Sequence, residues 1–192
     1  MSVTQPIRTK EDLKKLENFY PDITPVSQRN HLLILMGLNT ALRITDILNM
    51  KWNAVYDFSN QKLKTHVELT EQKTGKHTLI VLNATLQDAL INWMAVKQPA
   101  PEDPIFESAR SRKTLDRHQA YRIIRKAASG CGLCDHIGCH SLRKTFGYHA
   151  WKQGVPPAVL MDIYNHSSYQ VTTRYLCIDQ DDRDNVFRQI QL

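Results

Sequence analysis

Two side chains that suit a phosphate stand three positions apart in the segment His140-Ser141-Leu142-Arg143. Positions three apart share one face of a helix, so the imidazole and the guanidinium point the same way. The guanidinium binds two phosphate oxygens with its planar fork, and the imidazole donates to a third oxygen or moves a proton. The same spacing also arises by chance on solvated helix faces, so this pair by itself leaves both interpretations open.

A further cation, Arg43, occurs among apolar residues in the segment Ala41-Leu42-Arg43-Ile44, directly before a predicted helix. A cation at a helix N-terminus opposes the helix dipole, so this position requires an anionic partner. A bound phosphate is one candidate for that partner, and a local ion pair with Asp46 is the other.

A second imidazole and a phenol occur close together near the C-terminus. The segment Asn165-His166-Ser167-Ser168 is followed, nine residues after His166, by Tyr175. A phenol has a pKa near ~10 and is a poor nucleophile until a base and nearby positive charge help it to ionise. Such help requires histidine and arginine side chains of the kind found in the other two segments.

Five segments in this order resemble the catalytic domain of the tyrosine recombinases, the phage integrase family. They are A-L-R-I-T-D-I-L, Q-K-T-G-K, H-S-L-R-K-T-F-G, N-H-S-S and T-R-Y-L, and the resemblance extends from residue 9 to the C-terminus. It implies a site-specific recombinase that cleaves and rejoins DNA through a 3′-phosphotyrosine, for integration, excision or inversion. It implies no cofactor, metal or ATP, because arginines and a lysine do the electrostatic work that a metal does in other nucleases.

The resemblance implies roles for six catalytic residues. Arg43 and Arg143 correspond to the arginines that clamp the scissile phosphate, and His166 to a further hydrogen-bond donor. The other three are Tyr175 as nucleophile, His140 as proton acceptor and Lys73 as general acid for the 5′-oxygen. Lys76 is a neighbouring candidate for the general acid.

The elements that position these residues are mostly helical. Periodicity predicts helices from Lys10, over Val26–Asn39 and Thr45–Lys51, over Ala84–Lys97 and Asp116–Ser129, and over His140–Gln153, Pro157–Ile163 and Tyr169–Leu176. Alternation predicts a hairpin of Leu63–Leu69 and His77–Val81 around a turn at Gly75, with Val55–Phe58 as a possible third strand. The fold class is therefore mainly α with a small antiparallel β-sheet, as in the tyrosine recombinase fold.

The domain organisation expected from the sequence has three parts. Residues 1–8 form an N-terminal tail, 9–180 the catalytic domain, and 181–192 a C-terminal helix with Val186, Phe187 and Ile190 on one side. That helix either packs on its own domain or docks onto a neighbouring protomer, as in family members that form a tetramer on DNA. Typical members carry a further N-terminal domain, whereas only a few residues precede the expected catalytic domain here. In this respect the chain is similar to the short fimbrial-switch invertases.

The composition fits a polyanionic partner. The 192 residues are 42% hydrophobic, enough for one core, and 25 Lys and Arg against 19 Asp and Glu give a formal charge of +6. The expected partner is double-stranded DNA with inverted-repeat sites, together with possible accessory DNA-bending proteins. The apolar run Leu32–Leu38 is too short to span a membrane. Without a signal peptide, the chain is expected to be a cytoplasmic, nucleoid-associated protein that is encoded by a bacterium or a phage.

Basic residues other than the six catalytic candidates are either part of a solvated surface or DNA contacts, and we favour DNA contacts. The candidates are Lys76, Arg112, Lys113, Arg117, Arg122 and Arg125.

Two alternatives stay open. Cys131, Cys134 and Cys139 resemble a zinc-ligand set, although reduced thiols are the default in a cytoplasmic chain. A non-catalytic DNA-binding regulator of the same fold is the second alternative, and an unrelated helical nucleic-acid-binding protein is a more distant one.

Overall fold

The computed structural model describes residues 4–21, 23–133, 136–178, 184 and 187–190. Over these residues the helices are α1 (Lys10–Glu17), α2 (Pro25–Asn39), α3 (Ile44–Leu48), α4 (Trp52–Val55), α5 (Ala84–Lys97), α6 (Arg117–Gly130), α7 (Cys139–Lys152), α8 (Pro157–Tyr164) and α9 (Tyr169–Leu176). The strands are β1 (Tyr56–Asp57), β2 (Lys62–Leu63), β3 (His66–Thr70) and β4 (His77–Val81). The predicted fold class, mainly helical with a small antiparallel component, is confirmed.

The main core is built around α2, which packs against α5 and α7. Six of the seven residues from Leu32 to Leu38 are apolar side chains, and all of them are buried. Burying one such side chain contributes about 1.5–3 kcal/mol. The seventh residue is Gly37, where a Cβ would lie 2.5 Å from Leu142 Cδ1. Glycine at this position therefore lets α2 and α7 approach closely.

A second, smaller apolar cluster lies where α7, α8 and α9 meet. Its buried members include Tyr148, Leu160, Tyr164 and Leu176. Gly147 faces this cluster, and a Cβ there would lie 2.6 Å from Leu176 Cδ2. The small cluster therefore sets the relative positions of the three C-terminal helices.

The strands form two separate two-stranded antiparallel sheets instead of a single sheet. In one, Tyr56 pairs with Leu63, and in the other the register runs from His66↔Val81 to Thr70↔His77. The chain changes its pairing partner between Lys64 and Thr65. The Lys64 N–H donates to the Val55 carbonyl, whereas the Thr65 carbonyl accepts from the Leu82 N–H (both 2.9 Å). The predicted hairpin is present, and its turn carries Gly75 at φ +67°.

The segment before α1 lies against α7. The Ile7 N–H donates to Thr145 Oγ1 (2.8 Å), and the Ile7 carbonyl contacts His149 Nε2 (2.9 Å). Ile7 itself is 3% exposed. Residues 4–8, assigned from the sequence to a tail, thus make specific contacts with the domain.

Most of the predicted C-terminal helix, residues 181–192, lies outside the described residues. Within it, Phe187 and Ile190 are 82% and 61% exposed. Among the helices of the described residues, none has the length and apolar character that a membrane crossing requires.

Candidate active site

Arg43 is held directly before α3 by a short turn that ends α2. Ala41 adopts a left-handed backbone conformation (φ +54°), which is costly for a residue with a Cβ. The Thr40 hydroxyl donates to the Met36 carbonyl (2.7 Å) and accepts from the Leu42 N–H (3.3 Å). These bonds stabilise the turn that places the half-buried Arg43 side chain.

The anionic partner of Arg43 is Glu71, which directly follows β3. Arg43 Nη1 donates to Glu71 Oε2, and Glu71 is 2% exposed. Burial raises the pKa of Glu71, but hydrogen bonds from Thr74 and Arg43, with the charges of Arg43 and Arg143, outweigh burial and hold this pKa below its ordinary value. Asp46 instead accepts a hydrogen bond from the backbone of the hairpin turn (3.0 Å). The structure therefore pairs Arg43 across the fold and not locally.

Arg143 projects from the middle of α7 and is 3% exposed. Its guanidinium donates to the carbonyls of Ala41 (Nη1) and Tyr164 (Nη2, 3.4 Å), and it lies 4.7 Å from the centroid of the Tyr164 ring. The Tyr164 hydroxyl in turn donates to the Arg143 carbonyl (2.6 Å). The acceptors of this guanidinium are neutral, so its positive charge is not cancelled by them.

Tyr175 and His166 are brought together beside Tyr164. The ring centroids of His166 and Tyr175 are 5.1 Å apart, and Tyr164 lies 5.5 Å from each of them. His166 Nδ1 contacts Thr172 Oγ1 (3.1 Å), which orients the imidazole. Asn165 ends α8 in the left-handed conformation (φ +53°). Asparagine tolerates this conformation better than most residues, so it fits the turn before His166.

Burial, together with nearby charges, shifts the pKa values of three groups of the site. Burial lowers the pKa of His140, and Arg117, Arg143, Lys144 and Arg43 lower it further. The pKa of His166 is lowered by burial and by the two arginines. Burial raises the pKa of the Tyr175 phenol, although Arg143 and Arg43 oppose this increase. At neutral pH both imidazoles are therefore uncharged and the phenol is protonated.

Comparison with known proteins identifies the family to which this chain belongs. The model of the "Phage integrase family" matches residues 8–181. The chain belongs to the phage integrase family. The probable integrase/recombinase YoeC of Bacillus subtilis (strain 168) is 39% identical over 181 residues, covering 94% of this chain and 93% of that protein. The type 1 fimbriae regulatory protein FimE of Escherichia coli (strain K12) is 28% identical and covers 77% and 73%.

Solved structures agree with this family assignment. The XerA recombinase superposes with a TM-score of 0.75 at 19% identity, covering 96% of this chain and 63% of that chain. XerH in a post-cleavage complex with a palindromic difH substrate gives 0.73 at 19% identity, covering 96% and 53%. At this identity the likeness establishes the fold. Together with the curated relatives, it indicates a tyrosine-type site-specific recombinase and confirms the resemblance seen in the sequence.

The two hairpin lysines of this integrase-family chain have different surroundings. Lys76 Nζ donates to the Asp162 carbonyl (2.6 Å) and to Asp162 Oδ1 (2.8 Å), which ties the hairpin to α8. The Lys73 side chain is exposed in the turn, two residues after Glu71. This difference favours Lys73 over Lys76 as the residue available to a substrate.

The basic residues predicted as DNA contacts are not equally available on the integrase-family fold. Arg125 Nη1 donates to the Ile137 carbonyl (3.2 Å), and Arg112 Nε lies 2.9 Å from Glu107 Oε1. Lys113, Arg117 and Arg122 are exposed. Arg117 also lowers the pKa of His140, so the charge of this exposed α6 residue reaches the His140 imidazole.

Two charged residues of this site were missed in the sequence. One is Glu71, and the other is Lys144, which directly follows Arg143 and is 3% exposed. Lys144 Nζ donates to the Thr4 carbonyl (2.6 Å), contacts Cys177 Sγ (3.6 Å) and lies 5.3 Å from the Tyr175 ring centroid. The sequence signal available for Lys144 was that it is a second cation, next to Arg143, on a largely buried helix. No local pattern distinguished Glu71.

The cysteine cluster has no metal-binding geometry in the part of the chain that the structure describes. Cys131 and Cys139 are free and half-buried, and Cys134 lies outside the described residues. Within those residues, no three His, Cys, Asp or Glu side chains come close enough to hold a metal ion. Burial raises the pKa of both described thiols, which favours the neutral thiol.

Proposed function

We propose that this chain cleaves and rejoins DNA strands through a covalent bond between Tyr175 and a DNA 3′-phosphate. The observation that carries the proposal is the grouping of the Tyr175 phenol with the His166 imidazole, 5.1 Å away, beside the buried Arg143. A phenol surrounded by cations has its ionised form stabilised. The same cations stabilise the charge that develops on a phosphate under attack.

The reaction is balanced by groups of this chain. The Tyr175 oxygen attacks phosphorus while its proton passes to His140. The bond from phosphorus to the 5′-oxygen breaks, and that oxygen takes a proton from Lys73. Arg43, Arg143 and His166 bind the non-bridging oxygens. The products are a 3′-phosphotyrosine and a free 5′-hydroxyl.

Rejoining is the reverse reaction, in which a 5′-hydroxyl attacks the phosphotyrosine and releases Tyr175. The covalent link conserves the energy of the broken phosphodiester, so the proposal requires no ATP. The positive charge that other nucleases obtain from a metal comes here from two arginines and a lysine. When the attacking hydroxyl belongs to another duplex, the outcome is integration, excision or inversion.

The proposed partner is double-stranded DNA with inverted-repeat sites. Support comes from the family and from relatives such as XerH, solved with a palindromic difH substrate. The exposed Lys113, Arg117 and Arg122 are the proposed phosphate contacts, with Lys76, Arg112 and Arg125 as further candidates after release from their present partners. The proposal extends to assembly as a tetramer on DNA, with the C-terminal helix docked onto a neighbouring protomer. It also includes accessory DNA-bending proteins and a location at the nucleoid.

The test is formation of a covalent protein–DNA adduct. A duplex is first enriched from a random-sequence library by binding to Tyr175→Phe, then synthesised with a nick beside the cleaved phosphate so that the intermediate is trapped. Wild type is expected to give an adduct on a denaturing gel, and Tyr175→Phe to give none. Equal binding of the duplex by both proteins without any adduct would favour the non-catalytic DNA-binding regulator.

A further inference from the structure

Glu71 connects two parts of the site that belong to different elements. Its buried carboxylate accepts hydrogen bonds from Arg43, which precedes α3, and from Thr74 (2.8 Å) and Thr78 (3.4 Å) of the hairpin. A carboxylate without partners in such a place would be strongly destabilising, whereas one with three donors is satisfied. The geometry of Arg43 and that of the hairpin therefore depend on the same side chain.

The backbone of Glu71 also closes the turn. Its N–H donates to the Lys76 carbonyl, and its carbonyl accepts from the Gly75 N–H (both 2.9 Å). The next residue, Gln72, donates its N–H to Asp46 Oδ1 of α3 (3.0 Å). Lys73 lies between Gln72 and Thr74, so both of its neighbours are attached to α3 or to the Glu71 carboxylate.

We propose that Glu71 is a positioning residue that holds the turn carrying Lys73 against Arg43, so that the general acid and the phosphate clamp meet at one phosphate. This inference rests on the proposed function. Glu71 does not touch the reacting atoms in this assignment. Its contact with Arg43 occupies Nη1, and a guanidinium carries five N–H donors, so donors remain for a phosphate.

The chemistry of the leaving group provides a specific test. In a substrate whose 5′-bridging oxygen is replaced by sulfur, the leaving group is a thiolate. A thiol is much more acidic than an alcohol, so this group departs without a proton from Lys73. A defect in placing the general acid is therefore relieved by sulfur, whereas a defect in the arginine clamp is not.

The experiment measures adduct formation by wild type, Glu71→Gln, Lys73→Ala and Arg43→Ala on oxygen and sulfur versions of the enriched duplex. On oxygen, we expect Lys73→Ala to be slower by about 100–10,000-fold, the range for losing a general acid, and Glu71→Gln by about 10–100-fold through misplacement. On sulfur, both defects should shrink to less than about tenfold. Arg43→Ala should stay slow on both substrates.

Glu68→Gln is the matched control, because Glu68 lies on β3, three residues before Glu71, with its side chain 72% exposed. It should match wild type on both substrates. Glu71→Asp keeps the charge on a shorter side chain and should fall between wild type and Glu71→Gln on oxygen. Binding of the duplex and the melting temperature are measured for each variant, and rates are expressed per folded, bound protein.

Two results would overturn the role of Glu71 while wild type forms the adduct. One is equal slowing of Glu71→Gln on oxygen and sulfur, which would mean that Glu71 acts only through Arg43 or the fold. The other is no slowing on oxygen. If wild type forms no adduct with either substrate, the proposed function itself fails and this inference with it.

Discussion

Replacing Gly147 by alanine tests how the small apolar cluster supports the site. A Cβ at this position would lie 2.6 Å from both Leu176 Cδ2 and Tyr164 Oη. Both side chains are fully buried, at 0% exposure, so neither can turn away into solvent. Overpacking of this kind costs about 1–3 kcal/mol, and disturbing the Tyr164–Arg143 hydrogen bond adds about 1 kcal/mol. Alanine regains about 1 kcal/mol of helix propensity, so we expect a net loss of about 1–3 kcal/mol.

Activity should suffer more than stability in Gly147→Ala. Tyr164 lies 5.5 Å from the rings of both His166 and Tyr175, so moving Tyr164 is expected to displace Tyr175, the proposed nucleophile. A displacement of about 1 Å costs up to about 100-fold in rate. We expect adduct formation to slow by about 10–100-fold at a temperature where the variant is folded. The melting temperature should fall by about 2–4 °C for each kcal/mol lost.

Two further variants decide whether this reasoning is correct. In Gly130→Ala the new Cβ would lie 2.2 Å from Phe19 Cε2, but Phe19 is only half-buried and can move, so both stability and adduct rate should stay near those of wild type. Tyr164→Phe removes the hydroxyl oxygen, one of three atoms within 3.0 Å of a Cβ at Gly147, so the double variant should lose less stability than the sum of the single variants. Strict additivity, or a normal adduct rate in Gly147→Ala, would refute the packing argument.

Three other predictions follow from the site. Burial lowers the pKa values of His140 and His166 in the folded protein, so these imidazoles bind a proton more readily in the unfolded chain. The free energy of unfolding should therefore be at its full value above the unfolded pKa of about 6.5. It should decrease as the pH falls through the folded pKa values. Urea midpoints between pH 7.5 and 5 measure this decrease, which should be smaller when both are asparagine. Asn165→Ala should cost about 1–2 kcal/mol in the left-handed turn and Asn165→Gly almost nothing, by thermal unfolding. Lys144→Met should slow adduct formation about 2–30-fold by removing the cation near the nucleophile, whereas Lys152→Met, on the exposed end of α7, should not.

Local features of the sequence predicted most elements of the fold. α5 and α9 have the predicted bounds, and Thr9 caps α1 by accepting from the Asp12 N–H (3.0 Å). The reason is that helix periodicity and capping depend on residues a few positions apart. The assignment of β1 and β2 to their own sheet was not predictable in this way, because it depends on which backbone groups Lys64 and Thr65 contact.

The missed residues of the site share a different property, which is distance along the chain. Glu71 contacts Arg43 across 28 positions, and Lys144 contacts Thr4 across 140. Neither separation corresponds to a helix or strand period, so no local pattern indicates the pairing. Asp46 was the nearer and plausible partner for Arg43. It lost that role because the hairpin brings a fully buried carboxylate to the same guanidinium.

The two arginines enter the proposed reaction with different electrostatic surroundings. Arg143 is bonded to neutral carbonyls and keeps its full charge, whereas Arg43 shares its charge with Glu71. Arg143 opposes the raised pKa of Tyr175 by its charge and by a hydrogen bond, and Arg43 opposes it by its charge alone. Two guanidiniums and one carboxylate leave one net positive charge, equal and opposite to that of one phosphodiester. The pentavalent transition state carries more negative charge than the ground state, and the histidines are neutral at pH 7. Additional positive charge is available from Lys144, close to the Tyr175 ring, and in the proposed reaction from Lys73. The placement of the Lys73 turn by Glu71 is therefore expected to affect the rate and not only the fold.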